Sequence, residues 1–313
     1  MHWDVVEVKP ETDYRLFVRF KDGLSGHVQL RRETLTGALA PLLDAQFFRQ
    51  VFVDEGAVAW PGEIDLAPDA MYAEVSFRNQ LPRLYELSDL LEDPSHPDAY
   101  NFQSQLRNPL ALETYALWEK ELKGLDSDAW VVLKSKASRY LEQRDRNGRG
   151  WYQLFDALGE AFAYNYVKDA VGCPKVCFVP ESDNRTPDLE GLIDDTRVLC
   201  EVKTINESDE QIAARRGSSI PCQLTGLLED GFFNKLDSNI ANAKDQFQTF
   251  DPNGEAQYLV YVRIRFDHSS GEWPGHYAEC YLKQIEEHLR NHPPGIKVVV
   301  NAGASKEWTR VVA

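Results

Sequence analysis

The sequence is short of basic residues, and it lacks the long apolar runs that mark membrane or secreted proteins. Its 313 residues include 34 Lys and Arg against 50 Asp and Glu, a net charge of −16. This balance is the opposite of the basic surface typical of nucleic-acid-binding proteins. The N-terminus has no basic stretch followed by an apolar one, and no apolar run reaches about 18 residues. These absences predict neither secretion nor a membrane span, and we expect the protein in the cytoplasm.

Cysteines are few and follow no recurrent spacing. The five lie at positions 173, 177, 200, 222 and 280, and an odd number without a framework favours a reducing compartment. Cys173 and Cys177 have no second Cys or His pair at zinc-finger spacing. We therefore interpret all five as packing residues.

The acidic excess is unevenly distributed. Residues 1–100 hold 18 acidic and 9 basic side chains, net −9, whereas residues 101–313 hold 32 and 25, net −7. The segment 134–150 reverses the sign, with six Lys or Arg against two acids. More than half of the excess thus lies in the first 100 residues, and acids that bind a metal are offset by its charge. The charge total therefore does not exclude a metal-dependent enzyme that acts on nucleic acid.

The length predicts two domains, since roughly 100–200 residues per domain is usual. Residues 1–82 are predicted to form a small α+β domain. Residues 83–110, with three prolines and many small polar residues, are predicted to be a linker. Residues 111–313 are predicted to form the second domain, which begins with helices.

Hairpins and one helix are predicted within the first domain. Strands at 5–10 and 14–20 precede an Asp-Gly turn, a helix is predicted over 40–51, and a second hairpin turns at Glu55-Gly56. The motifs here are Trp3, V-x-V-x-P, F-x-D-G, P-L-L-D and W-P-x-x-x-D-L-A-P-D. Together they resemble a small bacterial domain family of unknown function, often encoded near toxin–antitoxin-like operons. The resemblance implies a fold and a recruitment or dimerisation role, but no chemistry.

The candidate chemistry lies in segment 186–205. Two β-rich runs flank Asp194-Asp195, which predicts an antiparallel hairpin. A turn centred on this pair places Asp188 opposite Glu201, with Cβ atoms roughly 4.5–5.5 Å apart. Strand alternation puts Lys203 on the same face as Glu201 and predicts that the other face is the apolar core.

Two carboxylates held this close repel each other, and burying them without compensation is unfavourable. A divalent cation bound between the carboxylates offsets this repulsion. Carboxylate oxygens, together with water and substrate phosphate, are ligands that suit Mg²⁺, with Mn²⁺ as an alternative. Lys203 would then stabilise developing negative charge or help to deprotonate an attacking water. The pattern predicts metal-dependent hydrolysis of a phosphodiester bond.

Pro187-Asp188, twelve further residues and then Glu201-Val202-Lys203 resemble the active-site motif of the PD-(D/E)xK nuclease superfamily, which has the restriction-endonuclease-like fold. The resemblance implies that Asp188 and Glu201 are catalytic and bind the metal, and that Lys203 is the catalytic lysine. It also implies that the backbone carbonyl of Val202 is a metal ligand.

The αβββαβ core of that superfamily can be placed on this sequence. It predicts an α/β domain with a mixed sheet flanked by helices. The predicted elements are a helix at 151–172, a strand at 175–180, the hairpin, a helix at 234–250 and a strand at 258–266.

The two helices of this predicted core contribute further candidates. Glu160 matches the Gly-Glu helix that supplies an additional acid in many relatives, so it is a catalytic candidate. Its helix is apolar on both sides and is expected to be buried; the alternative is a solvent-facing Glu160. Lys244 and Gln246 lie where relatives often place an auxiliary polar residue.

The expected function is a Mg²⁺-dependent nuclease acting on DNA, in a phage-defence, restriction or toxin–antitoxin setting. One alternative is a surface hairpin with incidental charges. Another is a non-catalytic binding or regulatory protein that uses the nuclease-like fold as an interaction platform. Expected partners are DNA and a protein bound through the first domain, self-association is left open, and no membrane partner is expected. We expect substrate specificity to reside in the insertion 206–233.

Overall fold

The computed structural model divides the chain into two units, residues 1–119 and residues 120–313. The residues that the structure describes are 1–91, 102, 105–108, 111–141, 152–180, 185–206, 227–265, 275–303 and 306–313. Most of the predicted specificity insertion, residues 207–226, lies outside them, as do residues 142–150 of the basic segment.

In the first unit, residues 1–91 form two small antiparallel sheets and three α-helices, with short 3₁₀ turns between them. One sheet has the order β1 (Val5–Pro10), β2 (Arg15–Phe20), β3 (Ser25–Gln29), and the other has the order β4 (Phe52–Asp54), β5 (Ala57–Trp60), β6 (Ile64–Leu66). The helices are α1 (Ala45–Phe48), α2 (Pro68–Gln80) and α3 (Pro82–Ser88). Alternate residues of β2 are buried, as the two-residue period of a half-buried strand requires.

The helix predicted over 40–51 is wrong in its extent. A 3₁₀ helix over Gly37–Leu43 ends before Asp44, whose backbone is extended, and α1 follows as a single turn. The Asp44 carboxylate accepts hydrogen bonds from the backbone N–H groups of Gln46 and Phe47. This cap starts a new helix at a point where apolar spacing alone predicts continuity.

The beginning of the segment predicted as a linker is packed. It forms α3, in which Leu84, Tyr85 and Leu87 are buried. The buried Glu119 carboxylate accepts the backbone N–H groups of Arg83 and Leu84, both at 3.0 Å. Residues 92–101 lie outside the described residues, and the other predicted domain limits stay a prediction.

The second unit contains a six-stranded mixed sheet with helices, which agrees with the predicted mixed sheet. Its strand order is β12-β11-β10-β9-β8-β7. Antiparallel pairing joins β7, β8 and β9, while β10 and β11 run parallel to β9 and β12 is antiparallel to β11. The strands are β7 (Lys175–Phe178), β8 (Leu189–Ile193), β9 (Thr196–Asn206), β10 (Gln257–Arg265), β11 (Lys297–Ala302) and β12 (Thr309–Val311).

Among the described residues, the α-helices precede β7 or lie between later strands, one between β9 and β10 and one between β10 and β11. They are α4 (Leu112–Lys123), α5 (Ser127–Ser138), α6 (Tyr152–Leu158), α7 (Glu160–Asn165), α8 (Asp230–Phe250) and α9 (Gly275–Asn291). A π-helical turn over Tyr166–Ala170 follows α7. Within the described residues, none of the helices combines the length and hydropathy that a bilayer-spanning segment needs.

The predicted division of the β8–β9 hairpin into one apolar and one polar face is wrong. Leu199 and Ile205 share a face with Glu201 and Lys203, and both are buried in the apolar cluster formed with α8 and α9. The opposite face is also buried, as Cys200 has no exposed surface. Parallel strands covered by helices on both faces are usually apolar on both faces, and the buried stretch of β9 from Val198 to Cys200 is apolar accordingly.

The packing interpretation of the cysteines is correct for Cys173 and Cys200, which are buried. It is wrong for Cys177, which is exposed on β7 at the edge of the sheet. Cys280 is half-buried, and Cys222 lies outside the described residues.

Candidate active site

The β8–β9 hairpin has the register that the turn predicts. Its pairs run from Ile193–Thr196 to Leu189–Cys200. Asp194 and Asp195 have φ values of 45° and 65°, the left-handed conformation that a two-residue turn between twisted strands requires. The register is therefore confirmed.

Asp188 lies immediately before β8 and caps the end of the ladder. Its Oδ2 atom accepts a hydrogen bond from the backbone N–H of Val202 at 2.8 Å. Residues 201–206 of β9 extend beyond Leu189 and pair with β10 on their other side. Side chains from both faces of the sheet can meet at this overhang, because β8 has ended there.

Glu201 is buried in the overhang, and each of its carboxylate oxygens has a donor. Lys203 Nζ lies 2.5 Å from Oε1, and Gln246 Nε2 donates to Oε2 at 2.8 Å. The Gln246 amide also donates to the backbone carbonyl of Thr186. One α8 side chain therefore holds both Glu201 and the segment that leads to Asp188.

Of the two auxiliary candidates on α8, Gln246 contacts Glu201, whereas Lys244 makes its hydrogen bond elsewhere. Lys244 Nζ donates to the backbone carbonyl of Pro294 at 2.8 Å. The predicted role of the Val202 carbonyl as a metal ligand stays a prediction.

Glu160 is the first residue of α7 and is 7% exposed, so the solvent-facing alternative is wrong. The glycine before it permits a close approach, because a Cβ atom on Gly159 would lie 2.6 Å from Nη1 of the buried Arg263. Within the described residues, Glu160 Oε2 is buried and has no hydrogen-bond partner. The sequence pattern thus identified a buried acid whose second oxygen remains available.

Lys136 completes the group, although sequence reasoning did not assign it. This α5 residue places Nζ 2.6 Å from Glu160 Oε1 and 3.5 Å from Asp188 Oδ1. The available signal was its position in the basic segment 134–150. No spacing rule connects it to acids 24 and 52 residues away in the sequence, so only the fold could select it among the six basic residues of that segment.

Burial and mutual repulsion dominate the electrostatics of the acids. Burial first, and then the charge of Asp188, raise the pKa of Glu160 to about 8, while Lys136 opposes the shift. Burial and Asp188 likewise raise the pKa of Glu201 to about 7, against the effect of Lys203. Negative charge is therefore incompletely compensated at this site, as expected for carboxylates that share a poorly solvated space.

A pocket of about 310 Å³ opens beside Glu160. Its lining residues come from α5 to α7 and from β9: Lys136, Tyr140, Gln153, Asp156, Ala157, Glu160, Val202 and Thr204. Asp156 is bound on its other side by Arg265 at 3.3 Å and by Asn206 at 3.1 Å. In the pocket wall, Lys136 lies beside Glu160, and the charge of Asp156 is balanced by Arg265.

Oxygen ligands for a hard cation are present, but they do not form a ready-made cluster. Among the described residues, no group of three or more His, Cys, Asp and Glu side chains is placed to hold a metal ion. Lys136 and Lys203 make the close contacts to Glu160, Asp188 and Glu201. Ion pairs with Lys136 and Lys203 therefore compensate part of the negative charge of these acids.

Fold and site together define a mixed α/β protein with an acidic, lysine-containing site at the open end of a sheet. A family model described as "Protein of unknown function (DUF2442)" matches residues 5–76. No PD-(D/E)xK nuclease family model matches the chain. No curated protein and no solved structure matches it significantly.

Proposed function

We propose that this protein is a metal-dependent nuclease of the PD-(D/E)xK type that hydrolyses phosphodiester bonds of DNA. The observation that carries the proposal is the convergence of Asp188, Glu201 and Lys203 at the overhang of β9, with Glu160 supplied by the preceding helix. The order α6–α7, β7–β8–β9, α8, β10 supports the same proposal, since it follows the αβββαβ core of that superfamily.

Two features of these residues support a divalent cation as the site's ligand. Glu160 has an orphaned buried oxygen, and burial, followed by the charge of Asp188, raises the pKa of both Glu160 and Glu201. Mg²⁺ or Mn²⁺ would be held by Asp188, Glu201 and the Val202 carbonyl, with Glu160 as a supporting acid. A bound ion supplies Lewis-acid polarisation of a phosphate oxygen and lowers the pKa of a bound water.

Lys203 is the proposed catalytic lysine. Its ammonium group pairs with Glu201 at 2.5 Å and is part-buried, so it is held at the acid that would bind the metal. A positive charge at this point stabilises the negative charge that develops on the phosphate in the transition state. Glu201 keeps the ammonium oriented, while Gln246 holds the other Glu201 oxygen.

Cleavage of plasmid and linear DNA with Mg²⁺ tests the proposal. We expect the wild type to cut, EDTA to abolish cutting, and Lys203→Ala to lower the rate at least about 100-fold, because it removes preorganised charge stabilisation. The matched control is Lys175→Ala, since Lys175 is exposed at the end of β7 that pairs with Leu192. Equal rates for wild type and Lys203→Ala would contradict the assignment.

A second candidate is a non-catalytic binding or regulatory protein built on the same fold. The ion pairs of Lys136 and Lys203 with the acids favour it, because they compensate the site without an added ion. Calorimetric titration with Mg²⁺ and Mn²⁺ separates the candidates. The second candidate would be supported if the titration shows no metal binding and is unchanged when Glu160, Asp188 and Glu201 are replaced by their amides.

We propose that the first unit binds a protein partner. The family that matches residues 5–76 has no described function, so this role rests on the sequence resemblance. A phage-defence, restriction or toxin–antitoxin setting is proposed on the same basis.

A further inference from the structure

We propose that Lys136 is an internal cation of the site that competes with the divalent metal and then contacts the phosphate of the nucleic acid. This inference rests on the proposed nuclease function and adds a residue that the motif does not contain. In the structure, the Lys136 ammonium takes one oxygen of Glu160 at 2.6 Å and one oxygen of Asp188 at 3.5 Å.

The position of Lys136 depends on contacts made elsewhere along α5. The Asp126 carboxylate caps the helix by accepting the Ala129 N–H at 2.8 Å, and it also accepts the hydroxyl of Tyr164 on α7 at 2.8 Å. Leu133 and Ala137, which flank Lys136 along the helix, are buried. The helix is therefore anchored to α7 without the ammonium group, and the backbone of residue 136 should stay in place when that group moves.

Competition follows from the shared oxygens. An ammonium ion and a divalent cation repel each other, and because Asp188 Oδ2 already accepts the Val202 N–H, the metal and Lys136 would compete for Asp188 Oδ1. Metal binding must therefore weaken the pairing of Lys136 with Asp188 and, where Glu160 supports the ion, with Glu160. The metal-free ion pairs lower metal affinity by the free energy needed to separate them.

The displaced ammonium has a place to go. Lys136 lines the pocket of about 310 Å³ and its side chain is 22% exposed, so its flexible four-carbon stem can turn without unfolding α5. An ammonium group in a pocket beside a metal site is a natural contact for a phosphate oxygen. The same side chain thus opposes the metal in the free protein and favours nucleic acid in the complex.

The test compares Lys136→Gln with the wild type and with Lys175→Gln, which removes the same charge at an exposed position. Calorimetric titration of the full chain with Mn²⁺, without DNA, should give about 5- to 20-fold tighter binding for Lys136→Gln alone. Anisotropy of a labelled DNA duplex, with Lys203→Ala present in all chains to prevent cleavage, should give about 5-fold weaker DNA binding with Mg²⁺. The opposite directions distinguish competition from general loss of structure.

Equal Mn²⁺ affinity in Lys136→Gln and wild type would overturn the inference and leave the proposed function standing. Absence of Mn²⁺ binding in both would overturn the proposed function and the inference with it. Mn²⁺ binding only by Lys136→Gln would support the inference. Lys136→Gln can misfold because Glu160 loses its partner, and in that case the double variant Lys136→Gln/Glu160→Gln removes both charges. The double variant should bind Mn²⁺ more tightly than Glu160→Gln alone. Equal Mn²⁺ affinity of these two variants would overturn the inference.

Discussion

Glu201 shows how strongly the site constrains a single residue. It is 3% exposed, and its two oxygens have different donors, an ammonium from its own strand and an amide from α8. An amide donor carries no charge, so Gln246 can orient the carboxylate without competing with a cation. Outer residues of this kind commonly change metal affinity or activity when they are replaced.

We expect Gln246→Ala to lower the DNA cleavage rate about 10- to 100-fold, because Glu201 Oε2 and the Thr186 carbonyl lose their common donor. The measurement is the initial rate at saturating Mg²⁺, with the melting temperature as a check on folding. Gln248→Ala, an exposed change two residues along α8, is the matched control and should retain the wild-type rate. A Gln246→Ala rate equal to that of Gln248→Ala would argue against an orienting role.

At the scale of elements, the site depends on an attachment between two helices as well as on the hairpin. The Asp126 cap begins α5 and binds Tyr164 of α7, so α5 and the helix that carries Glu160 are joined. These hydrogen bonds, the backbone one from Ala129 first, lower the pKa of Asp126. They favour the ionised carboxylate, which accepts hydrogen bonds without carrying a proton.

Asp126→Ala should reduce the free energy of unfolding by about 1 kcal/mol near neutral pH, since it removes a helix cap. Because the folded-state pKa of Asp126 is lowered, its stabilisation is present above the ordinary pKa of 3.8 and is lost as pH falls through the lower folded value. Urea titrations between pH 3 and 7 should therefore show the difference from wild type shrinking at the acidic end.

The control for this prediction is Asp128→Ala, which removes an acid from the same first turn without removing the cap. Its loss of stability should be smaller than that of Asp126→Ala. A difference for Asp126→Ala that grows on acidification would contradict the cap interpretation.

For the whole molecule, the charge of −16 opposes association with another polyanion. Affinity for DNA rests on phosphates neutralised by Lys and Arg, with release of counterions. The described basic groups near the acids, Lys136 and Lys203, are engaged with carboxylates. Without a divalent cation, DNA would therefore approach a site whose acids are already paired and whose surroundings are negative.

We expect DNA binding to require a divalent cation. In the Lys203→Ala chain, anisotropy of a labelled duplex should show binding at least about tenfold weaker in EDTA than in Mg²⁺ at matched ionic strength, with affinity falling as salt rises. Added NaCl of equal ionic strength serves as the control for screening. Equal affinity in EDTA and Mg²⁺ would indicate that DNA binds away from the acidic site.

Local rules were sufficient for much of the second unit. The Asp194-Asp195 turn and the two-residue period of strands predicted a register that the structure confirms from Ile193–Thr196 to Leu189–Cys200, and Asp188 follows at the end of this ladder. The helix predicted at 234–250 is likewise present in α8, and its apolar residues at helical spacing, Leu236, Ile240 and Phe247, lie in the core. In both cases the information lies between residues close in sequence, so a single sequence contains it.

The sequence by itself therefore predicted the register of the β8–β9 hairpin, the helix α8 and the burial of Glu160. Only the tertiary structure decided that Asp44 divides the helix predicted at 40–51, that both faces of the hairpin are covered, and that Lys136 reaches the acids. The physical reason is twofold. A helix cap can end or begin a helix within a single turn even where the apolar spacing continues. Burial and ion pairs between segments that are distant in sequence depend on how those segments pack. Lys136 and Asp188 are 52 residues apart along the chain, and no local pattern encodes a contact across that separation.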